Sequence, residues 1–200
     1  MFLFIDTISE NATYLLFDDH RREVDRISLR LKGQESEQFF LSLEAFVLKN
    51  QCVFQELRGI VVVNGPGGFT SMRIITLVVN TIAFIYNVPL YPIDFFAFAQ
   101  YAGAEFPMLL KANRGEYLLK ELPTAATYIV PIDAMPAGQY SGIGDENDFV
   151  NRGISIQSDL DYTRFLQEYV FCVPRKKIDP IYIKKPNISI PTKSAKTPTE

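Results

Sequence analysis

Residues 60–73 read IVVVNGPGGFTSMR. A short apolar run meets Asn64, Gly65, Pro66, Gly67 and Gly68, and then Phe69, Thr70 and Ser71 lead into a long apolar segment. The first run has the length of a buried strand and the second that of a helix. A glycine turn between strand and helix can cradle a phosphate, because backbone N–H groups converge at the helix N-terminus. The side chains here do not complete such a motif. A Walker loop needs Lys immediately before its Ser/Thr, where Phe69 stands, and a dinucleotide G-x-G-x-x-G would need glycine at Thr70. Asp6, Gly67 and Gly68 are the candidate cofactor contacts. The reading the residues favour is mechanical: glycine lets the chain turn tightly, and Thr70 or Ser71 caps the helix.

The helix that follows, over residues 70–86, carries one charge, Arg73. At about 100° per residue, Thr76, Asn80 and Asn87 fall in line with Arg73, with Leu77 and Phe84 at the shoulder of this narrow stripe. The remainder is apolar. A membrane span needs about 20 apolar residues, and Asn80, Asn87, Pro89 and Pro92 interrupt this one, so no span is expected. A helix this apolar is covered on more than one side, which predicts a helix-on-helix interface with a partner. Residues 35–50 form a second helix with Phe39, Leu43, Phe46 and Val47 on one face and a smaller strip of Leu41, Ala45 and Leu48. The expected interface comprises Glu35, Gln38, Leu41, Ser42, Ala45, Lys49, Arg73, Thr76, Leu77, Asn80 and Phe84.

Working outward, residues 2–6, 13–17 and 23–31 read as three strands of an antiparallel meander. Residues 59–63 are a buried strand, 88–91 a short one, and 94–102 a third helix. Residues 108–112 and 116–122 form a hairpin and 127–132 a further strand. The run SGIGDEND (141–148) reads as a turn or loop, 161–171 as a helix, and 180–185 as a last extended piece. This order gives an α/β chain of two lobes, 1–103 and a smaller 104–185, each with a mixed sheet. Residues 186–200, rich in Pro, Ser, Thr and Lys, are expected to be a mobile tail.

Composition narrows the chemistry. Hydrophobic residues make up 48% of the 200, enough for a sizeable core. From Val173 onward seven Lys/Arg face two Asp/Glu, a net of +5, which leaves −8 on the first 172 residues of a chain whose total is −3. Arg175, Lys176, Lys177, Lys184 and Lys185 could touch RNA phosphates weakly and in a salt-sensitive way. Cys52 and Cys172 make neither a disulfide framework nor a zinc spacing. The start MFLFID has no basic region, so no signal peptide and a cytoplasmic setting are expected. The single histidine, His20, sits in DDHRRE, which argues against a Ser-His or Cys-His catalytic site.

Taken together, Ile5-Asp6-Thr7, Glu35-Ser36-Glu37, Gly65-Pro66-Gly67-Gly68-Phe69-Thr70-Ser71-Met72-Arg73 and Val88-Pro89-Leu90 resemble the TsaB (YeaZ) family. That family is an accessory subunit of the bacterial machinery making threonylcarbamoyladenosine in tRNA. KANRGEYLL (111–119) is similar to the family's D-A-R-x-G-E-V-Y segment, and PIYIK (180–184) to its P-x-Y-L-R. The resemblance is strong over residues 1–122 and thin over 123–178. It implies an actin-like, ribonuclease-H-like (ASKHA) fold without catalysis of its own. It also implies pairing through first-lobe helices with a TsaD-like catalytic subunit, which carries the metal and transfers the group. A TsaE-like ATPase joins that assembly, and a separate enzyme supplies threonylcarbamoyl-adenylate. No cofactor is expected on this chain alone; ATP and a metal are expected on the partners. A homodimer is expected in isolation.

The chain departs from the family pattern at Glu35 (usually His), Ile8 (usually a small hydroxyl residue), and Lys111 and Asn113 (usually Asp and Arg). Three rival readings follow from the same residues. An ATPase or kinase-like half would use Asp6 with Gly142-Ile143-Gly144-Asp145 as the adenosine-side motif. A protease would need partners for His20. A plain homodimer would keep the fold and not the tRNA role.

Overall fold

The computed structural model describes residues 1–31, 33–113 and 115–183; the expected tail at 186–200 and the lysines at 184 and 185 lie outside them. The first sheet holds β1 (Phe2–Asp6), β2 (Ala12–Phe17), β3 (Glu23–Leu29), β4 (Gly59–Val63) and β5 (Leu90–Ile93), in the order β3-β2-β1-β4-β5. The first three strands are antiparallel neighbours, and β4 and β5 continue the sheet in parallel. The second sheet repeats this plan. It holds β6 (Met108–Asn113), β7 (Glu116–Lys120), β8 (Tyr128–Pro131), β9 (Gly138–Ile143) and β10 (Ile154–Gln157), in the order β8-β7-β6-β9-β10, with the same three antiparallel and two parallel strands. The two lobes are copies of one mixed-sheet α/β topology, the actin-like, ribonuclease-H-like arrangement.

The helices are unequal between the copies. In the first lobe α1 (Glu35–Lys49) joins β3 to β4, and α2 (Phe69–Tyr86) joins β4 to β5. In the second lobe the matching connections hold a three-residue 3₁₀ turn (Ile132–Ala134) and a four-residue helix, α4 (Glu146–Phe149). Both lobes end in a seven-residue helix, α3 (Phe95–Tyr101) and α5 (Tyr162–Glu168).

Strand alternation sorts the side chains into separate cores. Leu3, Ile5, Tyr14, Leu16, Ile60 and Val62 face α1 and α2, while Phe4, Leu15, Phe17, Val61 and Val63 face α3 and α5. Both sets are buried, so β1, β2 and β4 read as mainly apolar runs, with Asp6 and Thr13 as buried polar exceptions. The central core also takes Met108, Leu110 and Leu118 from the second sheet. Thus α3 and α5 lie between the two sheets. Phe98 and Phe165 cross edge-to-face there with centroids 5.1 Å apart.

Several boundaries differ from the sequence expectation. The strand expected at 88–91 is β5 at Leu90–Ile93, because Asn87 ends α2 in the left-handed region (φ 54°) and Pro89 follows before the chain rejoins the sheet. The expected loop at 141–148 holds the end of β9 and all of α4. Gly142 suggested a turn; instead it has φ 127° inside a strand, and a Cβ there would overlap the Leu109 carbonyl oxygen on β6. Neither Thr70 nor Ser71 caps α2. The cap position is Gly68, which makes no side-chain bond, and Met72 N–H donates to its carbonyl at 2.9 Å.

Candidate functional site

The glycine turn is closed by the chain itself. Gly65 has φ 130° and lies against the backbone of Ile181, whose N–H donates to Asn64 O at 2.8 Å. Asn64 Nδ2 donates to Asp179 O at 2.9 Å. A Cβ on Gly67 would meet Met72 and Ile8 side chains, so this glycine serves close packing.

Asp6, at the end of β1, is fully buried. Its Oδ1 accepts from Ile8 N–H at 2.8 Å and Ser9 N–H at 3.3 Å, and its Oδ2 accepts from the Ser9 hydroxyl. Burial pushes the carboxyl above the usual carboxylate range, and the bonds from Ser9, Ile8 and Tyr162 oppose that push in part. The carboxylate needed for a phosphate-bound metal is therefore engaged in a local turn. Gly142-Ile143-Gly144-Asp145 is equally structural: Asp145 caps α4, accepting from Asn147 N–H at 3.2 Å, and pairs with Lys111 at 2.8 Å.

The outer face of α1 and α2 is different. Each helix buries one side, Phe39, Leu43, Phe46 and Val47 on α1 and Met72, Ile75, Val79, Ile82 and Ala83 on α2. The helices pack against each other. Opposite the core, each presents large apolar groups seven residues apart: Leu41 (59% exposed) and Leu48 (56%), and Leu77 (68%) and Phe84 (87%). Phe40 and Ile85 add to this face and were not singled out from the sequence. The adjacency of Phe39 and Phe40 was the available signal, since neighbouring residues on a helix point about 100° apart and cannot both enter one core. By length and composition α2 could cross a membrane; here its inner side lines the first lobe's core.

The expected interface residues divide into two groups. Gln38, Leu41, Ala45, Arg73, Leu77 and Phe84 are exposed on the outer surface. Arg73 stacks on the Phe69 ring, 4.1 Å from its centroid, which explains how a cation is held in the first turn of a helix. Other residues are engaged within the chain. Glu35 accepts from Gly33 N–H and from Ser71 Oγ. Ser42 donates to Gln38 O and bonds the Tyr14 hydroxyl, itself pushed up to about 12 by burial. Lys49 pairs with Asp25 on β3 at 2.9 Å. Thr76 is buried, and Asn80 bonds residue 178 of the C-terminal segment through both amide atoms. The polar stripe read from the sequence is thus split: Thr76 and Asn80 turn inward, Asn80 onto the C-terminal segment, while Arg73 and Asn87 stay exposed.

His20 is exposed in the turn after β2, and Cys52 is buried while Cys172 is exposed. Among the described residues no group of three His, Cys, Asp or Glu is placed to hold a metal ion.

Comparison with known proteins agrees with this architecture. Residues 34–114, less than half the chain, match the family described as TsaD, tRNA N6-adenosine threonylcarbamoyltransferase. No curated protein matches. A crystal structure of an uncharacterized protein with similarity to peptidase YEAZ from Pseudomonas aeruginosa superposes with a TM-score of 0.69. It is 16% identical and covers 92% of this chain and 99% of its own. YeaZ from Pseudomonas aeruginosa superposes with a TM-score of 0.63, also 16% identical, over 83% of this chain and 88% of its own. In fold this chain is YeaZ-like, and residues 34–114 are similar in sequence to the TsaD family.

Proposed function

We propose that this chain is a non-catalytic subunit that pairs with a TsaD-like catalytic subunit in threonylcarbamoyl transfer to adenosine of tRNA. The observation that carries the reading is the uncovered face of α1 and α2, where Leu41, Leu48, Leu77 and Phe84 stand more than half exposed. Large apolar groups grouped this way mark an interaction surface. Support comes from the family match over residues 34–114, which spans both helices. The burial of Asp6 and the chain segment against the glycine turn favour a subunit that leaves ATP and metal to its partners. A TsaE-like ATPase would join the pair. The tRNA would meet mainly the catalytic subunit, with Arg175, Lys176 and Lys177 as weak, salt-sensitive contacts. In isolation the same face would pair with a second copy across a two-fold axis.

The test is to mix the purified chain with the TsaD-like protein of the same organism and measure mass by light scattering after size exclusion. Phe84→Arg and Leu77→Arg place a charge on the open face and leave the core untouched. A heterodimer with the native chain that either variant abolishes supports the reading. A native chain that forms no heterodimer overturns it.

A further inference from the structure

Residues 172–183 follow a definite path across the first lobe. Cys172 lies against Pro92 on β5, and Arg175 exchanges both backbone hydrogen bonds with Leu90, at 2.8 and 2.9 Å. The chain then crosses to α2. Asn80 Nδ2 donates to Ile178 O at 2.9 Å, and Ile178 N–H donates to Asn80 Oδ1 at 2.9 Å, so one amide holds the peptide as a neighbouring strand would. Asn64 takes the next peptides, through Asp179 O and Ile181 N–H. Tyr182 ends the run against Phe69, with ring centroids 5.1 Å apart, and Arg73 lies over the other ring partner, Phe69, at 4.1 Å.

We propose that residues 174–183 are a latch that opens as a unit while the rest of the fold stays closed, and that its closure fixes the first turn of α2, where Arg73 stands. Of these residues Ile178 alone is fully buried, at 2% exposure; Arg175, Lys176, Lys177 and Asp179 face solvent. The segment is held chiefly by a few hydrogen bonds near the surface and one apolar anchor, the profile of a part that opens locally. Its far end has a directed effect. When Tyr182 leaves, Phe69 loses its ring neighbour, and the Arg73 stack at the end of the exposed face loses its backing. Asn80 is the positioning residue, about three helical turns from Phe69. The link from latch to partner affinity rests on the pairing proposed above; the latch itself does not.

Hydrogen exchange on the full chain tests it, with Asn80→Ala and Asn80→Asp as variants. Alanine is the best helix former, so α2 persists. In the native chain the Ile178 and Ile181 amides should exchange faster than those of β1 and β4. Asn80→Ala should speed exchange over 174–183 by about tenfold, the effect of losing two such bonds, and should also speed Met72 and Arg73 while β4 is unchanged. Asn80→Asp keeps the acceptor for Ile178 N–H and should restore part of the protection. Latch amides that exchange at the rate of β1 and β4 overturn the proposal, as do Met72 and Arg73 rates that ignore Asn80→Ala. A missing heterodimer overturns the pairing, whereas the exchange pattern alone decides the latch.

Discussion

Ser71, in the first turn of α2, donates its hydroxyl to Glu35 Oε1 at 2.8 Å, and Glu35 is the first residue of α1. The other carboxylate oxygen accepts from Gly33 N–H at 2.9 Å. One carboxylate therefore stands at the first turns of both helices, whose N-termini attract negative charge. It also ties together the two helices that present the open apolar face.

This link predicts an energetic coupling. Glu35→Ala and Ser71→Ala should each lower stability, and the double variant should lose less than the sum. The coupling should be about 1 kcal/mol, as for a hydrogen bond to a charged group near the surface. Denaturant midpoints of the four chains measure it; strict additivity would mean that the two helices are aligned without this bond.

Asp6 predicts an unusual pH dependence. Its folded pKa is raised by burial, so the folded state holds a proton that the unfolded chain has already released. Its contribution is fully present below the unfolded value near 3.8 and is lost as pH rises through the raised folded value. Asp6→Asn cannot ionise and keeps an oxygen for the Ile8 and Ser9 N–H groups. The variant should thus gain stability relative to the native chain as pH rises from about 4 to 7. Paired thermal melts across that range give the difference, and a flat one would contradict the upward shift of the buried carboxyl.

Lys111 bridges Asp145 at 2.8 Å and Asp148 at 3.0 Å in the second lobe. Asp145 is held below the usual range chiefly by that lysine, and Asp148 by the Tyr117 hydroxyl and then by the lysine. Depressed carboxylates stabilise above their unfolded pKa and lose this as pH falls through the folded one. Lys111→Met should destabilise the chain at pH 7, and the gap should close in acid. Urea midpoints at the two pH values check this.

Gly142 and Gly33 both have positive φ, 127° and 85°. A Cβ on Gly142 meets the Leu109 backbone, while one on Gly33 meets nothing within 4 Å. Gly142→Ala should cost about 3 kcal/mol or more, and Gly33→Ala about 1 kcal/mol. Comparable urea midpoints for the two variants would refute the β6–β9 packing.

The strand–turn–helix around residues 60–73, the early meander and the two long first-lobe helices were legible in the sequence. Each is set by local chemistry: apolar periodicity marks the buried faces, and glycine or asparagine marks where the chain turns. The excess of apolar residues in α2 likewise declared a second covered or sticky side. Tertiary structure alone decided the rest. Gly138 and Gly142 belong to a strand because β6 and β10 supply hydrogen bonds on both edges of β9, and no local preference encodes that. Asn80 faces a returning segment about a hundred residues away, so its role depends on where the chain comes back. Asp6 is fully buried in a turn with Ile8 and Ser9, and Tyr162, far along the chain, lies beside it, a neighbour no local preference reveals. The sequence fixes what each residue prefers nearby; the fold determines which distant group meets it, and burial sets what that meeting costs.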